Sequence, residues 1–348
     1  MKTNVLKRIP LNRLMDLKID YAFKQLFGQE KNKDITIVFL NAILKRTGSA
    51  RIRDLSLQNT EAGGEYEEDK QSRLDLLAVT NANEWVNIEI QFTNKYDMVK
   101  RSLYYWSGVY RSQLKKRMGY RELRPVIAIN ILNFDMLEHT KRFHTTFHLH
   151  EDEELFKLTD TLELHFIEME KLMRDWKESR LNPRDDVMAR WLLLLGMVDH
   201  RNDHIYNDIF NELEAIAMKD DTLHNAFENW ERLSLTQEEM LAYEARLKRV
   251  LDEEAAVREA ELREQEARER ALQEGMEEGR KKGLELGRER GLKQGLEQGL
   301  EQGLEQGRQQ EKEATARLLL AEGFDVSTAA RLSRLKEEDV LRIQRDEK

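Results

Sequence analysis

Two apolar-alternating runs, Arg73 to Val79 and Trp85 to Gln91, flank the turn-like Asn81-Ala82-Asn83, and this pattern limits the folds open to the chain more than any other. A hairpin centred on Ala82 brings Asp75 opposite Glu89, because the turn sets the register of both strands. Strand side chains alternate with period two, so Leu74, Leu76, Ala78, Ile88 and Ile90 share one face, and Asp75, Asn87, Glu89 and Gln91 the other. The first face reads as core. The second carries opposed carboxylates at roughly 5 Å, which repel, so something positive is expected between them. Two hard oxygen donors, with positions left for water and phosphate, suit Mg²⁺ or another divalent cation acting on a phosphodiester. The alternative is an ordinary antiparallel hairpin with a solvated outer face.

Residues 16 to 46 read as helical around a break at Gly28 to Asn32, 52 to 60 as a first strand, and Gly63-Gly64 with the acidic Glu65 to Asp69 as a loop. After the hairpin, a helix is predicted over 96 to 117, ended by Gly119, and the apolar run Pro125 to Leu132 as a buried strand. The order helix, three strands, helix, strand makes an α/β core. Phe143 to His150 alternates and carries His144, His148 and His150, whose spacing fits an exposed strand face better than a zinc site. A strand over 162 to 172 and a mainly helical stretch over 185 to 247 follow.

The arrangement resembles the PD-(D/E)XK nuclease superfamily, with Asp75 on one strand and Glu89-Ile90-Gln91 on the next, Gln91 standing in the lysine position. Over the first half of the chain it is similar to the Rpn family of recombination-promoting nucleases, the PD-(D/E)XK nuclease family transposases. Asp20 to Phe27, Leu74 to Ala78, Asn87 to Gln91 and Lys100 to Trp106 carry the likeness. The resemblance implies a restriction-endonuclease-like fold and a metal-dependent DNA endonuclease that promotes recombination. Asp75 and Glu89 would hold the metal, with the Ile90 carbonyl and Asp20 as further ligands and Gln91 orienting water. Helix capping is the structural alternative for Asp20. Lys24, Lys100, Arg101 and Tyr105 are the candidate DNA contacts; glutamine cannot supply lysine's charge, so either the rate is modest or a neighbouring cation substitutes, with Lys100 and Arg101 as candidates. Two other classes stay open: a non-catalytic DNA-associated scaffold that keeps the fold, and a multimeric regulatory protein.

A net charge of −9 weighs against a protein that coats nucleic acid through bulk electrostatics. Local clusters matter more: Lys95, Lys100, Arg101, Arg111, Lys115, Lys116, Arg117, Arg121 and Arg124 interleave with Tyr96, Tyr104, Tyr105, Trp106 and Tyr110. There is no cysteine, which excludes disulfides and cysteine-bound zinc. No signal peptide or membrane span is evident, so a soluble, cytoplasmic protein with no membrane partner is expected.

From about residue 245 the chain is rich in Glu, Arg and Ala, and glycine then recurs at every fourth position from Gly275 to Gly307. Each interior glycine costs about 1 kcal/mol relative to alanine, so an isolated helix should fray unless packing offsets the loss. A period of four advances the stripe about 40° per repeat, so a partner following it would supercoil right-handedly, as in a coiled coil. The segment reads as a stalk for homo-oligomerisation or as a tether, and similar repeats occur in Rpn-family tails. In Ala314 to Ile343 a small helical unit is expected, with a stop at Gly323 and Ser327 as N-cap. Four regions result: a nuclease core over 1–150, a mainly helical extension over 151–245, the charged Gly-repeat helical tail over 246–312 and the C-terminal unit over 313–348.

Overall fold

A computed structural model of the chain describes residues 9–58, 61–62, 72–73, 75–93 and 97–346. Leu74, Lys95, Tyr96 and the loop expected over Gly63 to Asp69 lie outside the described residues. In chain order the elements are α1 (Asp20–Phe27), α2 (Lys33–Ile43), β1 (Leu55–Leu57), β2 (Glu61–Ala62), β3 (Ser72–Arg73), β4 (Leu76–Thr80), β5 (Trp85–Gln91), α3 (Met98–Ser112), β6 (Val126–Leu132), β7 (His144–Phe147) and β8 (Leu162–Glu168). There follow α4 (Met169–Lys177), α5 (Val187–Gly196), β9 (Val198–Asp199), β10 (His204–Ile205), α6 (Asn207–Ala217), α7 (Asp221–Leu235), α8 (Gln237–Ala321), α9 (Val326–Ser333) and α10 (Glu337–Asp346). The chain divides into two compact units, 1–260 and 261–348.

The first unit is built on a six-stranded mixed sheet in the order β1-β4-β5-β6-β8-β7. The predicted hairpin register is the observed one: Leu76 pairs with Ile88, Leu77 with Asn87, Ala78 with Val86 and Val79 with Trp85. Its turn closes through Thr80 N–H to the Glu84 carbonyl at 2.9 Å, with Asn83 at a φ of 60°, a left-handed position that asparagine tolerates. β5, β6 and β8 run parallel, and β6 is buried along its whole length, which explains its unbroken apolar run. Ile127, Ile129 and Ile131 of β6 join the main core, while Ala128 and Leu132 face the other way, into a cluster with Met98 of α3.

That second face is not solvated. Asn87 and Glu89 are 1% and 3% exposed, because α3 lies across it and packs Val109, Tyr105 and Trp106 on Leu77 and Val126. The strand expected over 162–172 stops at Glu168, whose buried carboxylate accepts hydrogen bonds from Met136 N–H at 2.6 Å, Leu137 N–H at 3.0 Å and Lys171 at 2.8 Å, and α4 begins at once.

On the other face α1, α2, α5 and α7 pack together with the sheet. Phe27 and Phe39 meet tilted at a centroid distance of 4.8 Å, and they meet Trp191 at 6.3 and 6.4 Å in the edge-to-face geometry that aromatic quadrupoles favour. The segment before α1 is threaded beneath the later helices: Met15 N–H donates to Ser234 Oγ at 3.1 Å, Asp16 N–H to the Tyr243 hydroxyl at 3.0 Å, and Trp230 Nε1 to the Met15 carbonyl at 2.9 Å. Lys18, 2% exposed, donates to Asp16 at 3.1 Å and to the Val198 carbonyl at 2.8 Å, so its charge is matched where it is buried.

In the second unit the glycines at every fourth position lie within the single helix α8, and a Cβ built on any of Gly275 to Gly307 meets nothing within 4 Å. The leucines that follow them, Leu284, Leu292, Leu296, Leu300 and Leu304, are exposed. At the end, Ala316 of α8, Ala329 and Ala330 of α9 and Val340 and Ile343 of α10 form a small core. Gly323 takes a φ of +89° at the helix stop. The cap of α9 is Asp325 and not Ser327, which lies inside the helix: the Asp325 carboxylate accepts from Thr328 N–H at 3.0 Å and Thr328 Oγ1 at 2.7 Å. Replacing Phe39 by alanine should cost about 3–5 kcal/mol of stability, seen as a lower urea midpoint with an unchanged denaturant slope.

Candidate active site

Asp75 is the last residue before β4, and Glu89 lies near the C-terminal end of β5. Each holds the other's strand: Asp75 N–H donates to Glu89 Oε1 at 3.3 Å, and Ile90 N–H donates to Asp75 Oδ2 at 2.8 Å. One oxygen of each carboxylate is thereby tied to backbone, and the second meets a cation. Lys24 Nζ stands 3.7 Å from Asp75 Oδ1, and Arg101 stands 3.7 Å from Glu89 Oε2.

The cations arrive from opposite sides of the sheet. On α1, Ala22, Phe23, Leu26 and Phe27 are buried, which leaves Asp20 and Lys24, four residues apart, on the face towards the acids. On α3, Met98, Ser102 and Val109 are buried, and Arg101 lies 5.1 Å from the centroid of the Tyr105 ring. Asp97 caps α3, accepting from Lys100 N–H at 3.1 Å, which sets the first turn that carries Arg101.

These side chains line a cleft of about 400 Å³ together with Ile90, Gln91, Phe92 and Thr93. Lys18, Arg246, Arg249, Val250 and Glu253 complete it. Of the sequence candidates, Asp20, Lys24, Asp75, Glu89, Ile90, Gln91, Arg101 and Tyr105 meet here. Lys100 does not: its side chain is 84% exposed and pairs with Asp97 at 2.9 Å. Asp20 is the first residue of α1, not its cap, which is Ile19, and its carboxylate accepts from Tyr21 N–H at 2.8 Å. Lys18 and the α8 residues were not among the candidates, since nothing local marks them.

Burial and mutual repulsion raise the proton affinity of the pair. Loss of solvent pushes Asp75 up to about 6, opposed by its Ile90 hydrogen bond and by Lys24. Burial, and next the Asp75 charge, push Glu89 well above the usual carboxylate range, with Arg101 opposing. Gln91 adds a buried Oε1 with no partner. Such a site takes up protons or a hard cation, and both carboxylates with the Ile90 carbonyl and Gln91 are the available oxygens. Among the described residues no group of three or more His, Asp or Glu side chains is placed to hold a metal, so Asp20 lines the cleft without joining the pair in such a group. The histidine-rich β7 forms no such group either: His144 Nε2 shares a hydrogen bond with His165 Nδ1 at 2.8 Å, and His165 Nε2 with Glu163 at 2.7 Å.

A mixed sheet thus carries an acid pair on neighbouring strands, and the helices that cover it bring a cation to each acid. The chain belongs to the PD-(D/E)XK nuclease family transposases, whose family model matches residues 17–260. The family implies phosphodiester hydrolysis, and PD-(D/E)XK nucleases typically use divalent cations. Comparison with curated proteins and with solved structures gave no match. Among the described residues no helix is long and apolar enough to cross a membrane.

The raised proton affinities set a pH dependence of stability. Between the unfolded value of 3.8 and the folded value of about 6, native Asp75 binds more protons than the unfolded chain, so its contribution to stability falls as pH rises through that window. In EDTA, the melting temperature of Asp75→Asn relative to wild type should climb from pH 4 to about 7 and then level off. A difference that does not change with pH would contradict this account.

Proposed function

We propose that this protein is a metal-dependent DNA endonuclease that promotes recombination, with Asp75 and Glu89 holding Mg²⁺ or a similar divalent cation beside the scissile phosphodiester. The observation that carries the reading is the reciprocal hydrogen bonding of the two acids, which fixes both in one cleft at 2.8 and 3.3 Å from backbone N–H groups and leaves each with one oxygen free of backbone. The Ile90 carbonyl would add a ligand, and Asp20 a further negative charge. When bound, the cation supplies Lewis-acid polarisation of the phosphate and lowers the pKa of a water. Gln91 orients water through its amide, with Oε1 otherwise unpartnered. Lys24 and Arg101, now balancing the carboxylates, become available to phosphate oxygens once a cation takes over that role.

DNA would approach along α3. Val99, Leu103 and Tyr104 are 44%, 40% and 56% exposed there, and the loop that follows carries the exposed Lys115, Lys116, Arg117, Arg121 and Arg124, with Glu122 as its one acid. Exposed bases with an exposed aromatic beside them suit a phosphate backbone whose bases stack on tyrosine.

With Mg²⁺ or Mn²⁺, wild type should nick supercoiled plasmid, whereas Asp75→Ala and Glu89→Ala should lose more than about 100-fold, since the Lewis-acid contribution is worth several kcal/mol. No cleavage with any metal would favour the scaffold alternative, and equal cleavage by all three proteins would place the activity elsewhere.

The tail suits self-association: its open glycine stripe and exposed leucines have no partner within the described chain. We expect deletion of residues 261–348 to reduce the sedimentation mass to that of a monomer while the first unit still unfolds cooperatively. An unchanged multimer would move the interface out of the tail.

A further inference from the structure

One wall of the cleft is the start of α8, a helix the hairpin pattern gives no reason to expect there. Its docking is specific. Tyr21 donates its hydroxyl hydrogen to Glu239, the buried Tyr243 shares a hydrogen bond with His200 Nδ1 at 2.7 Å, and Glu254 pairs with Arg201 at 3.1 Å. Leu247 and Val250 pack on the main core. Residues three and four apart share a helix face, so Arg246, three after Tyr243 and four before Val250, is carried on the docked side and lines the cleft.

Without a metal, each of the other cleft cations already has a partner. Lys18 donates to Asp16 and to the Val198 carbonyl, Lys24 faces Asp75, Arg101 faces Glu89, and Arg249 pairs with Glu253 at 3.3 Å. Arg246 is half-buried and has no ion pair among the described residues. In the same cleft the family motif's lysine position holds Gln91, which brings no charge.

We propose that Arg246 contacts the phosphate of the bound nucleic acid and supplies, from α8, the positive charge that Gln91 lacks. The inference rests on the nuclease reading above and adds a catalytic residue to it. A guanidinium suits the task because its planar donors bind phosphate oxygens two at a time and stay charged at any pH a nuclease meets. The start of α8 then belongs to the catalytic machinery, and the site is complete only while Tyr243 and Glu254 keep that helix seated.

The test compares full-length wild type, Arg246→Ala, Arg246→Gln and Arg246→Lys in plasmid nicking with Mg²⁺, and in binding of a fluorescent DNA oligonucleotide in EDTA at several salt concentrations. Arg246→Ala and Arg246→Gln should lower kcat about 100-fold, as loss of one positioned charge-stabilising donor does, with Arg246→Lys recovering part of it. The salt slope of binding should fall by about one in the alanine and glutamine variants, the signature of one lost phosphate contact. Their melting temperatures should match wild type. If alanine unseats the helix, glutamine, which keeps much of the stem, decides by the same readings. Wild-type kcat and salt slope in Arg246→Gln overturn the proposal, as does a loss that tracks a lowered melting temperature and is not recovered by lysine. Active wild type with an unaffected Arg246→Gln overturns this inference alone, whereas inactive wild type with every metal overturns the nuclease reading with it.

Discussion

Two carboxylates buried side by side on neighbouring strands repel, and most of this architecture follows from keeping them there. Asp75 is 8% exposed and Glu89 3%, so water screens little of their charge. Backbone N–H groups at 3.3 and 2.8 Å satisfy one oxygen of each, and these bonds exist only in the register where Leu76 pairs with Ile88. A slip of one residue would turn Ile88 and Ile90 onto the acid face and take Glu89 into the main core. The remaining oxygens need cations from outside the hairpin. Lys24 requires α1 docked on one face and Arg101 requires α3 docked on the other, which is why a hairpin that alone could stand half-solvated is closed on both sides.

The pair remains costly even so, since burial still raises both proton affinities. Local stability is given up for a site with high affinity for positive charge, and the surrounding core must hold it in place. The Phe27, Phe39 and Trp191 cluster belongs to the main core, and the segment holding Asp16 and Lys18 is tied to α7 and α8 by backbone N–H groups that donate to the Ser234 and Tyr243 hydroxyls. Residues distant in sequence thus hold the framework on which the acids sit.

The hairpin, its register and the identity of its two acids were legible because they follow from local alternation and a short turn. The buried strand β6 was legible for the same reason: an unbroken apolar run needs cover on both faces. Tertiary closure was not. Alternation distinguishes two faces of a strand but cannot say that α3 will cover the polar one, so Asn87 and Glu89 read as solvated as readily as buried. Asp16, Lys18, Tyr243 and Arg246 carry no local signature, since each matters through a partner far along the chain. The end of β8 escaped detection because Glu168 stops the strand through contacts with Met136 and Leu137 across a loop. Ser327 attracted the capping assignment because serine is a good cap. Asp325 takes it by offering two acceptor oxygens to Thr328.

The long helix carries opposite energetic tendencies along its length. Its beginning is held by Tyr243, Leu247 and Val250, so packing adds there to the helical propensity of its Glu, Ala, Leu and Arg residues. Further along, the pairs Glu277 with Lys281 and Glu278 with Lys282, each at 3.0 Å, contribute a few tenths of a kcal/mol apiece. The glycines from Gly275 to Gly307 cost about 1 kcal/mol each relative to alanine, and a Cβ would fit at every one without contact. Intrahelical pairs cannot offset that loss, and none of the described residues packs against the stripe. The self-association proposed for the tail would supply that stabilisation, through surfaces that approach the backbone more closely than a methyl group allows. The same substitution that strengthens an isolated helix would then weaken an assembled one, and that opposition in sign separates a stalk that joins copies from a spacer that does not.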